Sequence, residues 1–310
     1  MDLQQMRYVV AVAEESSFTR AAEKSFVTQS ALSHQIAALE REIGHQLFSR
    51  TSRAVRLTEP GEAFLAHARI AVRASSDARE AASAAAGNIT GTLRLGVIPT
   101  VTAVNVPAVI ARFRSLHPRT RVELVVGNSD SLMSDVRAGR LDAALLGLRA
   151  EVEPRGVAAR ELAREKLVAV VPGEHRLANR RSIRLSDLAD EVFADFPAGT
   201  SGRAQSDAAF AGADVRRDVA FEADSAVLIL GLVAAGLAVT LLATGVADGS
   251  RGGVRMVPLR DGPSRVEYLA WDKRSTRAVT RAFREVVDDV RRENAEAGPE
   301  EPSEPASSAS

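Results

Sequence analysis

The stretch from Ser17 to Gly44, SFTRAAEKSFVTQSALSHQIAALEREIG, constrains the fold more than any other part of this chain. It reads as a short Ala-rich helix, a tight break and a second helix that buries one face. Leu32, Ile36, Leu39 and Ile43 follow one another at steps of four, three and four residues, which places them on one side of a 3.6-period helix. Thr28 stands where an N-cap belongs, so Gln29 and Ser30 open that helix. Opposite the apolar stripe lie Ser30, His34, Ala37, Ala38 and Arg41, with Ser33 on the flank and Gln29 at the tip. These side chains are small or polar enough for a close approach to the major groove, where Gln pairs with adenine and Ser or His reach other base edges. An amphipathic pair with small contact residues such as Ala21, Ala22 and Ala31 also occurs in ordinary helical bundles, so this segment alone leaves both readings open.

After Gly44 comes HQLFSRTSRAVRLTEPGEAFL. Leu47 and Phe48 can anchor a turn, and Val55 and Leu57 alternate with Arg56 as in a short strand. Arg50, Arg53 and Arg56 would then project from a two-stranded wing laid along a phosphate backbone. An ordinary solvated cationic surface is the other reading of the same arginines.

The stretch from Met1 to about Leu65 resembles the winged helix-turn-helix domain of the LysR-type transcriptional regulators. The resemblance includes a first helix packing Leu3, Met6, Val10 and Ala13, then the helix pair, then LFSRTSRAVRLTEPGEAFL, in the order and spacing of that family. It implies base-reading roles for Gln29, Ser30, Ser33 and His34, and backbone contacts from Arg20, Thr28, Arg50 and Arg53. Ser30 stands where many members have Pro and His34 where many have Arg, so the half-site sequence does not transfer.

A chain of 310 residues with a formal net charge of zero is too long for one helix-turn-helix and is not built for bulk electrostatic attraction to DNA. Phosphate contact must rest on local placement: the wing arginines, Arg20 and helix N-termini, with Glu14, Glu15 and Glu23 facing away. Cysteine is absent, which excludes a thiol redox switch, a disulfide framework and a Cys-rich metal site. The five histidines lack metal-ligand spacing, and no cofactor or metal is expected. No apolar run is long enough for a membrane span and no signal peptide is recognised, which gives a cytoplasmic protein as the expectation.

Between Gly61 and Gly87 no helix breaker interrupts the chain, and one long helix is predicted. Phe64, Ala68, Ala71, Ser75, Ala78, Ala82 and Ala85 recur at steps of three and four, a narrow seam for a second helix, although an Ala-rich linker helix needs no partner. The resemblance implies an antiparallel helix pair in a homodimer, assembled as a dimer or a dimer of dimers, that spaces two reading heads on an interrupted palindromic site.

From Thr92 strand and helix alternate: LRLGVI, RVELVV, LDAALLGL, KLVAVVPG, EVFADF, GLAVTLLA and RVEYLAWD read as strands, which implies parallel sheets covered on both faces. By resemblance this is a two-lobed Rossmann-like effector domain. The whole is then an α+β multidomain chain: DNA-binding domain 1–60, linker helix 61–89, effector domain 90–292 and disordered tail 293–310. Lobe I takes about 90–162 and 266–292, and lobe II about 163–265. Ligands collect at strand carboxyl ends, and the resemblance implies effector contact from Thr100, Ser129, Thr200 and Ser201, with Pro99, Phe196 and Pro197 as apolar wall. Hydroxyls and helix N-termini suit a small carboxylate or other small anion, with Arg149 or Arg203 adding charge. Ala238 and Ala243 replace a Gly and a Pro common in the family, so the Gly-rich loop from Thr244 to Gly253 is read as mobile or differently placed.

The leading function is a sequence-specific, effector-sensing transcription regulator that also contacts RNA polymerase. A constitutive DNA binder without ligand is one alternative. An α/β enzyme with an accessory DNA-binding head is another, but the chain has no GxSxG elbow, no phosphate loop followed by Lys and no paired-carboxylate cluster.

Overall fold

The computed structural model describes residues 1–51, 54–248 and 252–297, and divides between Gly87 and Asn88 into two units. In the first unit Asp2 caps helix α1 (Leu3–Glu15) in a reciprocal capping box with Gln5. Ser17 caps α2 (Phe18–Lys24), and Thr28 caps α3 (Gln29–Ile43), its hydroxyl accepting the Ala31 N–H at 3.3 Å. Gly44 ends α3 with φ +80°, a left-handed conformation that glycine adopts without strain. Leu32, Ile36 and Leu39 are fully buried against Val9, Val12, Ala21 and Leu47. Each contributes roughly 1.5–3 kcal/mol by leaving water, so tertiary packing rather than helix propensity holds α3.

Strands β1 (Phe48–Thr51) and β2 (Ala54–Leu57) pair antiparallel, with Phe48 opposite Leu57. Phe48 packs edge-on to Phe18 at 5.7 Å between ring centroids, tying the hairpin to α2. The long helix α4 (Glu59–Ala85) follows from its cap Thr58. Its buried residues are Gly61, Leu65 and Ala68, all near its start, and Ala78, Ala82 and Ala85 are exposed.

The second unit begins with β3 (Gly91–Val97), α5 (Val106–Leu116), β4 (Thr120–Val126), α6 (Ser129–Arg137) and β5 (Ala143–Arg149). β3 lies between β4 and β5 and is parallel to both. β6 (Ala158–Pro172) then runs through both halves of the unit, and β7 (Val192–Asp195), α7 (Ser201–Gly212), β8 (Asp218–Glu222) and α8 (Ala226–Ala234) follow. The chain continues with β9 (Thr240–Ala243), α9 (Thr244–Asp248), β10 (Val254–Val257), β11 (Ser264–Trp271) and α10 (Ala278–Ala297). The first half of β6 pairs with β11, and its second half pairs with β9 and β10. One core packs Leu93, Leu95, Phe113, Val279 and Phe283. Another packs Leu167, Leu188, Phe193, Phe210 and Leu241. A cleft opens between these two lobes.

Three local features differ from the sequence expectations. The sheets are mixed: β3, β4 and β5 are parallel, as are β7 and β8, but β11 runs antiparallel to β5 and β6. β10 and β11 follow one another back along the long strand β6, each antiparallel to it, and that return path sets the direction in which β11 enters the sheet. α10 continues to Ala297, into the stretch read as disordered, because Glu, Asn and Ala at 293–297 extend a helix already anchored by Phe283 and Val287; the tail 298–310 lies outside the described residues. The Gly-rich loop read as mobile or differently placed from Thr244 opens as helix α9, with 249–251 outside the described residues.

Candidate functional site

On the first unit, the face of α3 opposite its core is the accessible one. Gln29, Ser30, Ala31 and His34 are exposed and Ser33 is half-buried. The amide Nε2 of Gln29 donates to the Ser33 hydroxyl at 2.9 Å, and the Thr28 and Ser30 hydroxyls lie 3.2 Å apart. The helix start therefore presents a linked row of side-chain donors and acceptors, short enough for base edges to approach. Gln5 donates to Gln35 at 3.2 Å and fixes α3 against α1. Glu40 accepts the N–H groups of Leu47 (2.8 Å) and Phe48 (3.2 Å), which sets where the β1–β2 hairpin leaves α3.

The cations are placed unevenly. The Arg20 guanidinium, exposed, donates to the Glu15 carbonyl and lies 3.7 Å from its carboxylate. Lys24 binds Glu14 and Glu15 at 3.2 and 3.0 Å, so these acids are held back toward α1 and α2. The Arg50 side chain and the whole of Arg53 lie outside the described residues. Phe26, in the break before α3, has φ +54° and is 95% exposed.

In the second unit a cavity of about 390 Å³ lies between the lobes. Pro99 and Thr100 follow β3, Ser129 opens α6, and Phe196, Pro197 and Thr200 connect β7 to α7; all six line it. Ser201 lies instead on a shallower depression beside the cleft, with Arg149. The hydroxyls are engaged by the protein itself. Ser129, buried, donates to the Gly147 carbonyl and accepts the Gly147 N–H, both at 3.0 Å. Thr200 donates to Pro197 O at 2.8 Å and caps α7. Ser201 meets Asp130 of the opposite lobe, its N–H at 3.2 Å and its hydroxyl at 2.6 Å from the same carboxylate oxygen. Arg203 turns from the cleft to Asp207 (3.0 Å) and Glu222 (2.9 Å).

Asp224, in the loop before α8 whose position at a strand end marks it in the sequence, lines the cavity as well, whereas sequence reasoning missed two lining residues with polar groups, Gln205 and Arg265. Gln205 is one turn beyond Ser201 on α7, an i, i+4 relation legible in the sequence once α7 is placed. Arg265 comes from the far end of the chain. Its guanidinium donates to the Thr100 hydroxyl (3.0 Å), the Thr100 carbonyl (2.7 Å) and Glu165 (2.9 Å), and pairs with Glu267. Glu267 also accepts N–H groups from Thr102 and Ala103. Burial pushes the Glu267 carboxyl above the usual carboxylate range, against the pull of Arg265 and these hydrogen bonds. Behind the Phe196 wall, Arg217 joins Asp195 (2.6 Å) to Asp207 and lies over the rings of Phe193 and Phe210.

Residues 3–62 match the model described as "Bacterial regulatory helix-turn-helix protein, lysR family", and residues 86–292 match "LysR substrate binding domain". This chain belongs to the LysR family of transcriptional regulators. The regulator is 31% identical over 294 residues to the HTH-type transcriptional regulator ShiR of Corynebacterium glutamicum, covering 94% of this chain and 99% of that one. It is 32% identical to the DNA-binding transcriptional dual regulator OxyR of Escherichia coli, over 78% of this chain and 79% of OxyR. Among solved structures, a full-length cysteine-to-aspartate variant of Pseudomonas aeruginosa OxyR superposes with a TM-score of 0.73 at 27% identity, covering 94% and 98% of the two chains. CbnR complexed with its target DNA shares the fold, with a TM-score of 0.68 at 23% identity over 94% and 100%. This LysR-family protein is thus a DNA-binding transcription regulator with an effector-binding domain, and its family is one of regulators rather than enzymes. Among the described residues no helix is long and apolar enough to cross a membrane.

Proposed function

We propose that this regulator binds an interrupted palindromic site in double-stranded DNA as a homodimer or dimer of dimers, and that a small molecule in the interlobe cleft alters its action. The observation that carries the DNA half is the accessible row Gln29, Ser30, Ser33 and His34 on the side of α3 opposite Leu32, Ile36 and Leu39. In this reading those residues meet base edges, and Arg20, Thr28, Arg50 and Arg53 hold the phosphate backbone. RNA polymerase contact couples occupancy to transcription, and the site of action is the cytoplasm.

The cleft half rests on the convergence of Pro99, Thr100, Ser129, Phe196, Pro197 and Thr200 on one cavity of a size that small ligands fill. Ser201, on the neighbouring depression, joins this set through its link to Asp130 across the lobes. A ligand that prefers one lobe arrangement shifts the population toward it and so changes the DNA-reading geometry. Some relatives bear the name "Hydrogen peroxide-inducible genes activator". Lacking any cysteine, this chain cannot sense an oxidant through a thiol.

The test is a gel-shift titration of the full chain against the DNA immediately upstream of its own gene. A discrete shift that resists competitor DNA supports the reading. Equal, salt-sensitive binding to that DNA and to scrambled duplex removes the autoregulatory site.

A further inference from the structure

The cleft has acceptors to offer and few free donors. Gln205, only 5% exposed, lines the cavity, and its Nε2 donates to the Gly147 carbonyl at 3.4 Å. A carbonyl can only accept, so that bond fixes the amide orientation and leaves Oε1 as the free end. Among the described residues Oε1 has no partner. Asp224, at the rim of the same cavity, likewise has no hydrogen bond or ion pair among the described residues.

Three of the hydroxyls and both arginines beside the cleft, Arg203 and Arg265, are already committed. Ser129, Ser131 and Thr200 donate their hydroxyl protons to backbone carbonyls. Asp130 already holds the Ser201 N–H and hydroxyl at the start of α7. The Arg265 guanidinium is flanked by two carboxylates, Glu165 and Glu267, and Arg203 by Asp207 and Glu222. An entering carboxylate would meet Asp224 with no uncommitted cation opposite it among the described lining residues, a repulsion that a low-dielectric cleft strengthens. Ile98, Leu167, Phe196 and Leu241 supply apolar wall, and the donors left facing it, the Thr100 hydroxyl and the Asn128 amide, are uncharged.

We propose that the cleft takes a small amine in its ammonium form, carried on an apolar body, with its N–H groups directed to Gln205 Oε1 and its charge balanced by Asp224. This rests on the reading of the cleft as an effector site and names the chemical class that the site accepts. The carboxylate expected from the sequence is the opposing outcome.

The experiment uses the full chain and matched pairs that differ only in head group: benzylamine against benzoate, and isopentylamine against isovalerate. Calorimetric titration and melting temperature are read for each. The expected result is an affinity at least about tenfold tighter for each amine than for its carboxylate, equivalent to about 1.4 kcal/mol, with a rise in melting temperature from binding to the native state. Asp224→Asn, at an exposed position, keeps the fold and weakens amine binding about tenfold; Gln205→Leu abolishes the amine-induced rise. Tighter binding of the carboxylates overturns the amine proposal and leaves the effector reading standing. Amine binding indifferent to both substitutions also overturns it, because the amines then bind elsewhere. If neither series raises the melting temperature or gives heat, the effector reading of the cleft falls together with the proposal.

Discussion

Arg265 and Glu267 stand two residues apart on β11, on the same face of the strand, and form an ion pair whose side chains are 3% and 2% exposed. Neither charge has water to fall back on. Removing the cation leaves a buried carboxylate uncompensated, so Arg265→Ala is expected to destabilise the second unit by about 3–5 kcal/mol. Urea unfolding followed by circular dichroism measures it, and a change within about 0.5 kcal/mol of zero would mean that the pair does not organise the cleft floor.

The same pair makes a pH prediction. Because burial holds the Glu267 carboxyl above its ordinary range, the folded protein keeps that proton to higher pH than the unfolded chain does. Its stabilising contribution is therefore present below the unfolded value and is lost as pH rises through the folded one. Glu267→Gln removes this dependence. The melting-temperature difference, variant minus native, is expected to grow as pH rises across that window; a difference independent of pH refutes the raised value.

Phe26 adopts a left-handed backbone conformation while its ring stays in solvent, an arrangement with no packing gain to offset its cost. That conformation costs an L-residue about 1–2 kcal/mol, and Asn tolerates it better. Phe26→Asn is expected to raise the melting temperature of the free protein. An unchanged or lower melting temperature would show that the ring is held by contacts in the free chain.

Gly61 tests the junction between wing and long helix. A Cβ there would lie 2.0 Å from the Leu47 carbonyl oxygen, which itself accepts the Thr58 N–H at 3.0 Å. Gly61→Ala must push the start of α4 away from the hairpin, with a loss of about 1–3 kcal/mol and weaker DNA binding. Native-like stability and DNA affinity would show that the junction yields freely.

The reading helix and the wing are expected to fail in different ways. Gln29→Ala or Ser33→Ala should cost about 1–3 kcal/mol of discrimination per lost base contact. Arg53→Ala should weaken cognate and scrambled duplexes alike and reduce the slope of affinity against salt. Fluorescence anisotropy titrations at several salt concentrations separate the two, and equal loss of specificity from both groups would refute the assignment.

Much of the first unit was legible from local rules. The stripe of Leu32, Ile36 and Leu39 must be buried wherever the helix forms, and Thr28 can serve only as a cap at that position. The strand β5 was legible for the same reason, since a run such as AALLGL has no face to offer water. By contrast, the first half of β6, with Arg160, Glu161, Arg164 and Glu165, carries no apolar strand signature. It is a strand because β11 supplies its hydrogen-bond partners.

The cleft divides in the same way. The sequence by itself determined which loops could meet there, because strand ends followed by capped helices mark those positions. Only the tertiary structure decided what the loops offer. The direction of a side-chain hydrogen bond depends on which neighbour packing brings within reach, and those neighbours are distant in sequence: Gly147 for Ser129 and Gln205, Asp130 for Ser201, and Thr100 for Arg265. The composition of the loops suggested donors awaiting an anion, whereas folding engaged the Ser129, Ser131 and Thr200 hydroxyls with backbone carbonyls and set Gln205 and Asp224 on the same cavity.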